Sequence, residues 1–135
     1  MREGHKDRAP VPEAVNQIGK AVIDAAFSVH SALGPGLLES VYETCLAEEL
    51  RARSLAVERQ VAVPVRYREA QLEVGFRLDL LVERCVIVEI KAIDALASIH
   101  TAQTLTYLKF ASLRLAYLIN FNVLRLKDGL RRVVL

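Results

Sequence analysis

Residues 86 to 92 read VIVEIKA, a run of Val, Ile and Ala interrupted by Glu89 and Lys91. Charged side chains seldom enter a strand that looks buried unless they are paired, solvated or used. A third charge, Asp79, stands in LEVGFRLDLLV, with nine residues between it and Glu89. A three-residue turn at Glu83, Arg84 and Cys85 makes the two runs a hairpin that pairs Val82 with Val86, and hence Asp79 with Glu89. Lys91 then falls on the same face, opposite Arg77. Two adjacent carboxylates repel one another, so a fold that pairs them loses stability unless a cation compensates. Lys91 and Arg77 are candidates for that cation. So is a divalent metal, for which carboxylate oxygens are preferred ligands.

The elements that must position these charges follow from periodicity. Pro12 and Glu13 open a helical pattern in which Ile18, Val22, Ala25, Val29 and Leu33 recur at three- and four-residue steps, ending at GPG, residues 34 to 36. A second helix is expected over about 37 to 53, with Leu38, Val41, Cys45 and Leu46 apolar and Arg51 and Arg53 near its end, where cations suit the helix dipole. From Val57 the period becomes two: Val57, Val61, Val63, Val65 and Tyr67 are expected on one face, with Pro64 marking an edge or a bulge. In the next run Leu72, Val74, Phe76, Leu78, Leu80 and Val82 are expected to share a face, opposite Glu73, Gly75, Arg77, Asp79 and Leu81. VIVEIK returns as a third strand. A third helix is expected over about 94 to 111, carrying His100, Gln103 and Tyr107 as one polar stripe. RLAYLINFN then reads as a buried strand and LKDGLRRVV as a final hairpin around Asp128 and Gly129. Strands that pair directly and then cross over through a helix predict an α/β domain, a mixed sheet flanked by helices.

Composition sets the outer bounds. A chain of 135 residues, 53% apolar and 25% charged, can bury one sizeable core without metals or disulfides to hold it. Cys45 and Cys85 have no partner at metal-ligand spacing and fit a reducing cytoplasm. Residues 1 to 12 are charged, lack the apolar segment of a signal peptide and are read as a flexible tail. No stretch approaches a membrane span in length. The formal net charge of +2 permits a DNA or RNA partner without demanding one. Phosphate-cradling glycine loops, a His/Cys zinc cluster, a Gly-x-Ser-x-Gly turn and an aromatic RNA-binding strand are all missing from the sequence.

Asp79, nine residues, then Glu89-x-Lys91 across a hairpin resembles the PD-(D/E)XK nuclease superfamily. GLLESVYE, with Gly36, Glu39 and Tyr42 in a G-x-x-E-x-x-Y arrangement, looks like the small GxxExxY family within it. The likeness continues through GFRLDLLV, VIVEIKA, HTAQTLTYLK and LINFNV, from about residue 15 to the C-terminus. Leu78 stands where the superfamily pattern has Pro, and Arg53-Ser54-Leu55 and Arg68-Glu69-Ala70 stand where a turn glycine is expected. The resemblance implies a restriction-endonuclease-like core of order α-α-β-β-β-α-β-β, here a single domain over residues 13 to 135.

It also implies roles. Asp79 and Glu89 would ligate Mg²⁺ or Mn²⁺, with the carbonyl of Ile90 adding an oxygen and Glu39 completing the shell or orienting water. The bland reading of the pair is solvated sheet charges. Lys91 would orient or deprotonate the attacking water and offset phosphate charge, or else form a salt bridge to Glu89 or Asp79. Gln103 would lie against the lysine or touch nucleic acid. Tyr42 is a site neighbour or a structural tyrosine, His100 a neighbour or a satisfied helix residue, and Gln60, Arg77, Tyr107 and Asn120 are further neighbours. The implied activity is metal-dependent hydrolysis of phosphodiesters, with DNA as the first substrate and RNA as the second. The rival readings are a nuclease-like domain that binds nucleic acid or a protein without cutting, and a subunit whose sheet edge or apolar helix face forms a homodimer.

Overall fold

The computed structural model describes residues 9–135. The periodicities become α1 (Glu13–Leu33), α2 (Glu39–Ala52), β1 (Val57–Tyr67), β2 (Ala70–Val82), β3 (Val86–Lys91), α3 (Ser98–Ala111), β4 (Leu115–Asn120), a 3-10 turn (Leu126–Gly129) and β5 (Leu130–Val134). The five strands lie in the order β1-β2-β3-β4-β5, antiparallel except for the parallel pair β3 and β4, which α3 connects. This is the mixed α/β sheet flanked by helices that the sequence predicts. Of the expected tail, residues 1–8 lie outside the described residues. Val11 packs against the core, and the carbonyl of Ala9 accepts from Arg114 Nη2 at 2.6 Å.

Helices α1 and α2 cover one face of the sheet and α3 the other. Val22, Ala25, Val29, Tyr42, Leu46 and Leu50 meet Val86, Val88, Ile90, Leu115, Tyr117 and Ile119 on the first face. Leu108 meets Val63, Leu78, Leu81, Ile87, Ala116 and Val133 on the second. The central strands are thus covered on both faces, which is why β3 and β4 read as nearly continuous apolar runs. Gly19 lets α1 approach closely: a Cβ there would lie 2.8 Å from Tyr117 Oη and 3.0 Å from a Leu115 methyl. The helix ends at Gly34, whose φ of 72° breaks the helical path while its N–H still reaches the carbonyl of His30 at 2.8 Å.

Several boundaries and faces differ from the sequence reading. Helix α3 starts at Ser98 rather than near 94, because residues 92 to 97 form a loop tied to Asn120. The last segment is a 3-10 turn followed by one strand paired with β4, not a hairpin of its own. Pro64 does mark a bulge, between Val63 and Val65, on the edge strand. The larger correction concerns the β1–β2 hairpin, whose apolar residues do not keep one face. Val57, Leu80 and Val82 pack under α1 and α2, whereas Val61, Val63, Phe76 and Leu78 pack toward α3. Leu72, Val74 and Tyr67, near the tip, are exposed. The face changes at Gln60 and Asp79. Gln60 has a φ of 52°, and one left-handed residue within a strand resets the alternation of side chains that follows it.

Candidate active site

The face change coincides with an opening in the sheet. The β2–β3 ladder runs in the expected register, Val82 with Val86, Leu81 with Ile87 and Leu80 with Val88, and its pairing stops there. The expected placement of Lys91 opposite Arg77 is therefore not made, since the strands have parted before reaching it. Beyond Leu80 the backbone donors turn to side chains: the N–H of Asp79 donates to Glu89 Oε2 at 3.1 Å, and the N–H of Ile90 donates to Asp79 Oδ2 at 2.8 Å. Each carboxylate replaces a carbonyl that the neighbouring strand would have supplied. Asp79 on β2 and Glu89 on β3 thus satisfy part-buried N–H groups where the ladder ends. The carbonyl of Lys91 accepts from Phe121 and so faces β4, which by alternation along the strand turns the carbonyl of Ile90 toward the opening.

Acidic groups crowd the opening. Glu89 is only 6% exposed. Burial first, then the charge of Asp79, push its pKa up to about 8, against the pull of the Asp79 N–H and Lys91. Asp79 is also held above the usual carboxylate range, by burial and then by Glu43 and Glu39, although the Ile90 N–H and the Gln60 amide lower it. Glu39, in the first turn of α2, is exposed. Glu43, one helical turn further on, is 9% exposed and pairs with Arg59 Nε at 3.1 Å. Gln60 Nε2 then joins Glu43 Oε1, at 2.9 Å, to Asp79 Oδ1, at 3.3 Å.

Glu43 is the site residue the sequence reading missed. It lies four positions after Glu39, so the i, i+4 spacing on one helix face was the available signal. Among the described residues, no three His, Cys, Asp or Glu groups converge as they do around a bound metal. The donor chemistry nevertheless suits a hard divalent cation. Carboxylate oxygens and a carbonyl dominate, and a carboxyl that keeps its proton near neutrality marks negative charge short of compensation.

The remaining candidates divide. Lys91 is half-buried and influences Glu89, yet among the described residues it forms no ion pair within 4.0 Å, so the salt-bridge reading is not met there. Tyr107 reaches the site from α3: its hydroxyl pKa is raised by burial and then by Glu89 and Asp79, while its ring stacks on Phe76 with centroids 4.4 Å apart. Gln103 is exposed on α3, and Arg77 is exposed on β2. His100 is used locally, its Nδ1 accepting from the Ala97 N–H at 2.9 Å to cap α3. Tyr42 lies in the core, stacked on Phe121, with its hydroxyl donating to the Gly34 carbonyl at 2.6 Å and accepting from the Leu37 N–H at 3.1 Å. It braces the turn before α2. Asn120, buried beside Lys91 in the β3–β4 register, accepts from the Ile93 N–H and donates to the Ile93 carbonyl, fixing the chain just beyond the lysine.

An α/β sheet that parts between two strands to hold an acidic pair beside a lysine defines the class of site. The family model described as the PD-(D/E)XK nuclease superfamily matches residues 16–133. The chain belongs to that superfamily. No curated protein and no solved structure matches it significantly. No helix among the described residues is long and apolar enough to cross a membrane.

Proposed function

We propose that the protein is a metal-dependent nuclease of the GxxExxY type, acting in the cytoplasm on DNA first and RNA second. The observation that carries this reading is the pair of half-buried Asp79 and buried Glu89 in the parted β2–β3 seam, with Lys91 two residues along. Asp79, Glu89, the Ile90 carbonyl and Glu39 would hold Mg²⁺ or Mn²⁺. When bound, the cation supplies Lewis acidity, lowering the pKa of water and stabilising charge on phosphorus. The chain's own groups do the rest. Lys91 orients the attacking water, takes its proton or offsets the phosphate's negative charge, as a half-buried amine can. Gln103, exposed on α3, contacts the nucleic-acid strand.

Plasmid and single-stranded DNA incubated with Mg²⁺ or Mn²⁺ test this beside Asp79→Ala and Lys91→Ala. Cleavage by the parent with a loss of about a hundredfold or more in each variant supports the mechanism. Equal cleavage by all three proteins removes it. A nuclease-like domain that binds without cutting is favoured by one observation, that no three acidic, His or Cys groups converge among the described residues. Salt-sensitive DNA binding without Mn²⁺ uptake would establish that alternative.

A further inference from the structure

Gln60 combines two features that a strand residue rarely has together. Its backbone is left-handed, with φ at 52°, in the middle of an edge strand. Its side-chain amide lies between two carboxylates of different elements, 2.9 Å from Glu43 Oε1 on α2 and 3.3 Å from Asp79 Oδ1 on β2. The features are connected. Successive residues of a regular strand point to opposite faces, yet Arg59 and Gln60 both reach Glu43, Arg59 through Nε at 3.1 Å. The left-handed backbone turns Gln60 to the same side as Arg59. An amide NH₂ has two hydrogens, enough to serve both carboxylates at once. Non-glycine residues in this conformation persist where their surroundings over-determine them, and such places cluster at functional sites.

We propose that Gln60 is the positioning residue of Asp79. Arg59 fixes Glu43 on α2, Glu43 fixes the Gln60 amide, and the second amide hydrogen holds Asp79 Oδ1. Oδ2 is thereby kept on the Ile90 N–H, and the carboxylate stays within the seam. The consequence for cation affinity rests on the nuclease reading above, whereas the placement of Asp79 does not. Gln60 touches no reacting group and acts through Asp79 alone.

Two variants separate side chain from backbone. Gln60→Glu keeps length and shape but removes both N–H donors, and Gln60→Gly removes the side chain while accepting a positive φ without strain. The first readout is the Ile90 amide in ¹⁵N spectra and hydrogen exchange of the metal-free protein. The second is Mn²⁺ affinity by titration calorimetry. In both variants the Ile90 resonance is expected to shift and its N–H to exchange faster, while a cooperative thermal melt shows that Gln60→Gly remains folded. Mn²⁺ affinity is expected to fall by about tenfold or more, as for other residues that orient a ligand. An Ile90 amide unchanged in both variants overturns the proposal, whatever the cation does. A changed Ile90 amide with a parent that takes up no Mn²⁺ leaves the positioning role standing and removes the metal reading instead. A changed amide with parental Mn²⁺ affinity overturns the stated consequence for the cation.

Discussion

Replacing Glu89 by Gln should stabilise the metal-free protein at alkaline pH, and by an amount that grows with pH. Glu89 has an ordinary pKa of 4.5 and is raised in the fold to about 8 by burial and by Asp79. Between these values the folded chain holds a proton that the unfolded chain has released. Stability therefore falls as pH rises from about 4.5 to about 8 and levels off above. At about 1.4 kcal/mol for each pH unit, the full interval corresponds to about 5 kcal/mol, and partial relaxation of the seam makes about 3 kcal/mol a realistic yield. Glutamine has the shape of the protonated acid, and its carbonyl oxygen can keep the bond from the Asp79 N–H. The variant should match the parent near about pH 5 and exceed it near about pH 9 by roughly 10 °C in melting temperature, at about 3 °C per kcal/mol. Thermal melts followed by circular dichroism, with chelator present, measure this directly. Parallel pH profiles for the two proteins, or a less stable variant at the alkaline end, would refute the reading that the fold holds a proton on Glu89.

Further expectations follow from the same geometry. Because a cation must displace that proton, Mn²⁺ should raise the melting temperature more at about pH 8.5 than at about pH 6, which differential scanning fluorimetry can read. Tyr42→Phe keeps the stack on Phe121 but loses two hydrogen bonds at the turn before α2. It should cost about 1 to 3 kcal/mol in urea unfolding while leaving Mn²⁺ affinity intact, and the reverse pattern would place the hydroxyl in the site. Asn120→Ala strips the Ile93 and Asn122 N–H groups of their side-chain acceptor, while the Ile93 carbonyl keeps Asn122 Nδ2, so a loss of about 1 to 3 kcal/mol and faster amide exchange at Ile93 are expected. Gly19→Leu should destabilise by about 2 kcal/mol or more despite leucine's better helix propensity, because Tyr117 and Leu115 already occupy the space. A neutral result would mean that α1 shifts freely on the sheet.

The register of the site was legible because a turn of known length fixes antiparallel pairing. Glu83, Arg84 and Cys85 set Val82 against Val86, and the ladder follows from that pair. The parallel crossover through α3 was legible for a similar reason, since a helical segment separates two apolar strands. What the sequence hid was the point where regularity ends. Alternation in LEVGFRLDLLV predicts one continuous apolar face, yet the face changes at Asp79, which stands opposite the left-handed Gln60 of the neighbouring strand, a residue that is not a glycine. No local pattern marks a glutamine for that conformation. The parting of β2 and β3 was hidden too, since it appears only when backbone donors are followed to Asp79 and Glu89 side chains. Tyr42 and His100 read ambiguously because a polar group on a helix can serve a turn, a cap or a site equally well. Their hydrogen bonds, to Gly34 and Leu37 and to Ala97, give them structural work.

In the proposed function the seam between β2 and β3 holds a divalent cation for phosphodiester hydrolysis. Anomalous diffraction from a crystal soaked in Mn²⁺ tests it most directly. A manganese peak bounded by the carboxylates of Asp79 and Glu89 and the carbonyl of Ile90 is expected, lost in Asp79→Ala crystals soaked alongside. A soaked parent crystal with no peak in the seam, its two carboxylates still on the Ile90 and Asp79 N–H groups, would contradict it.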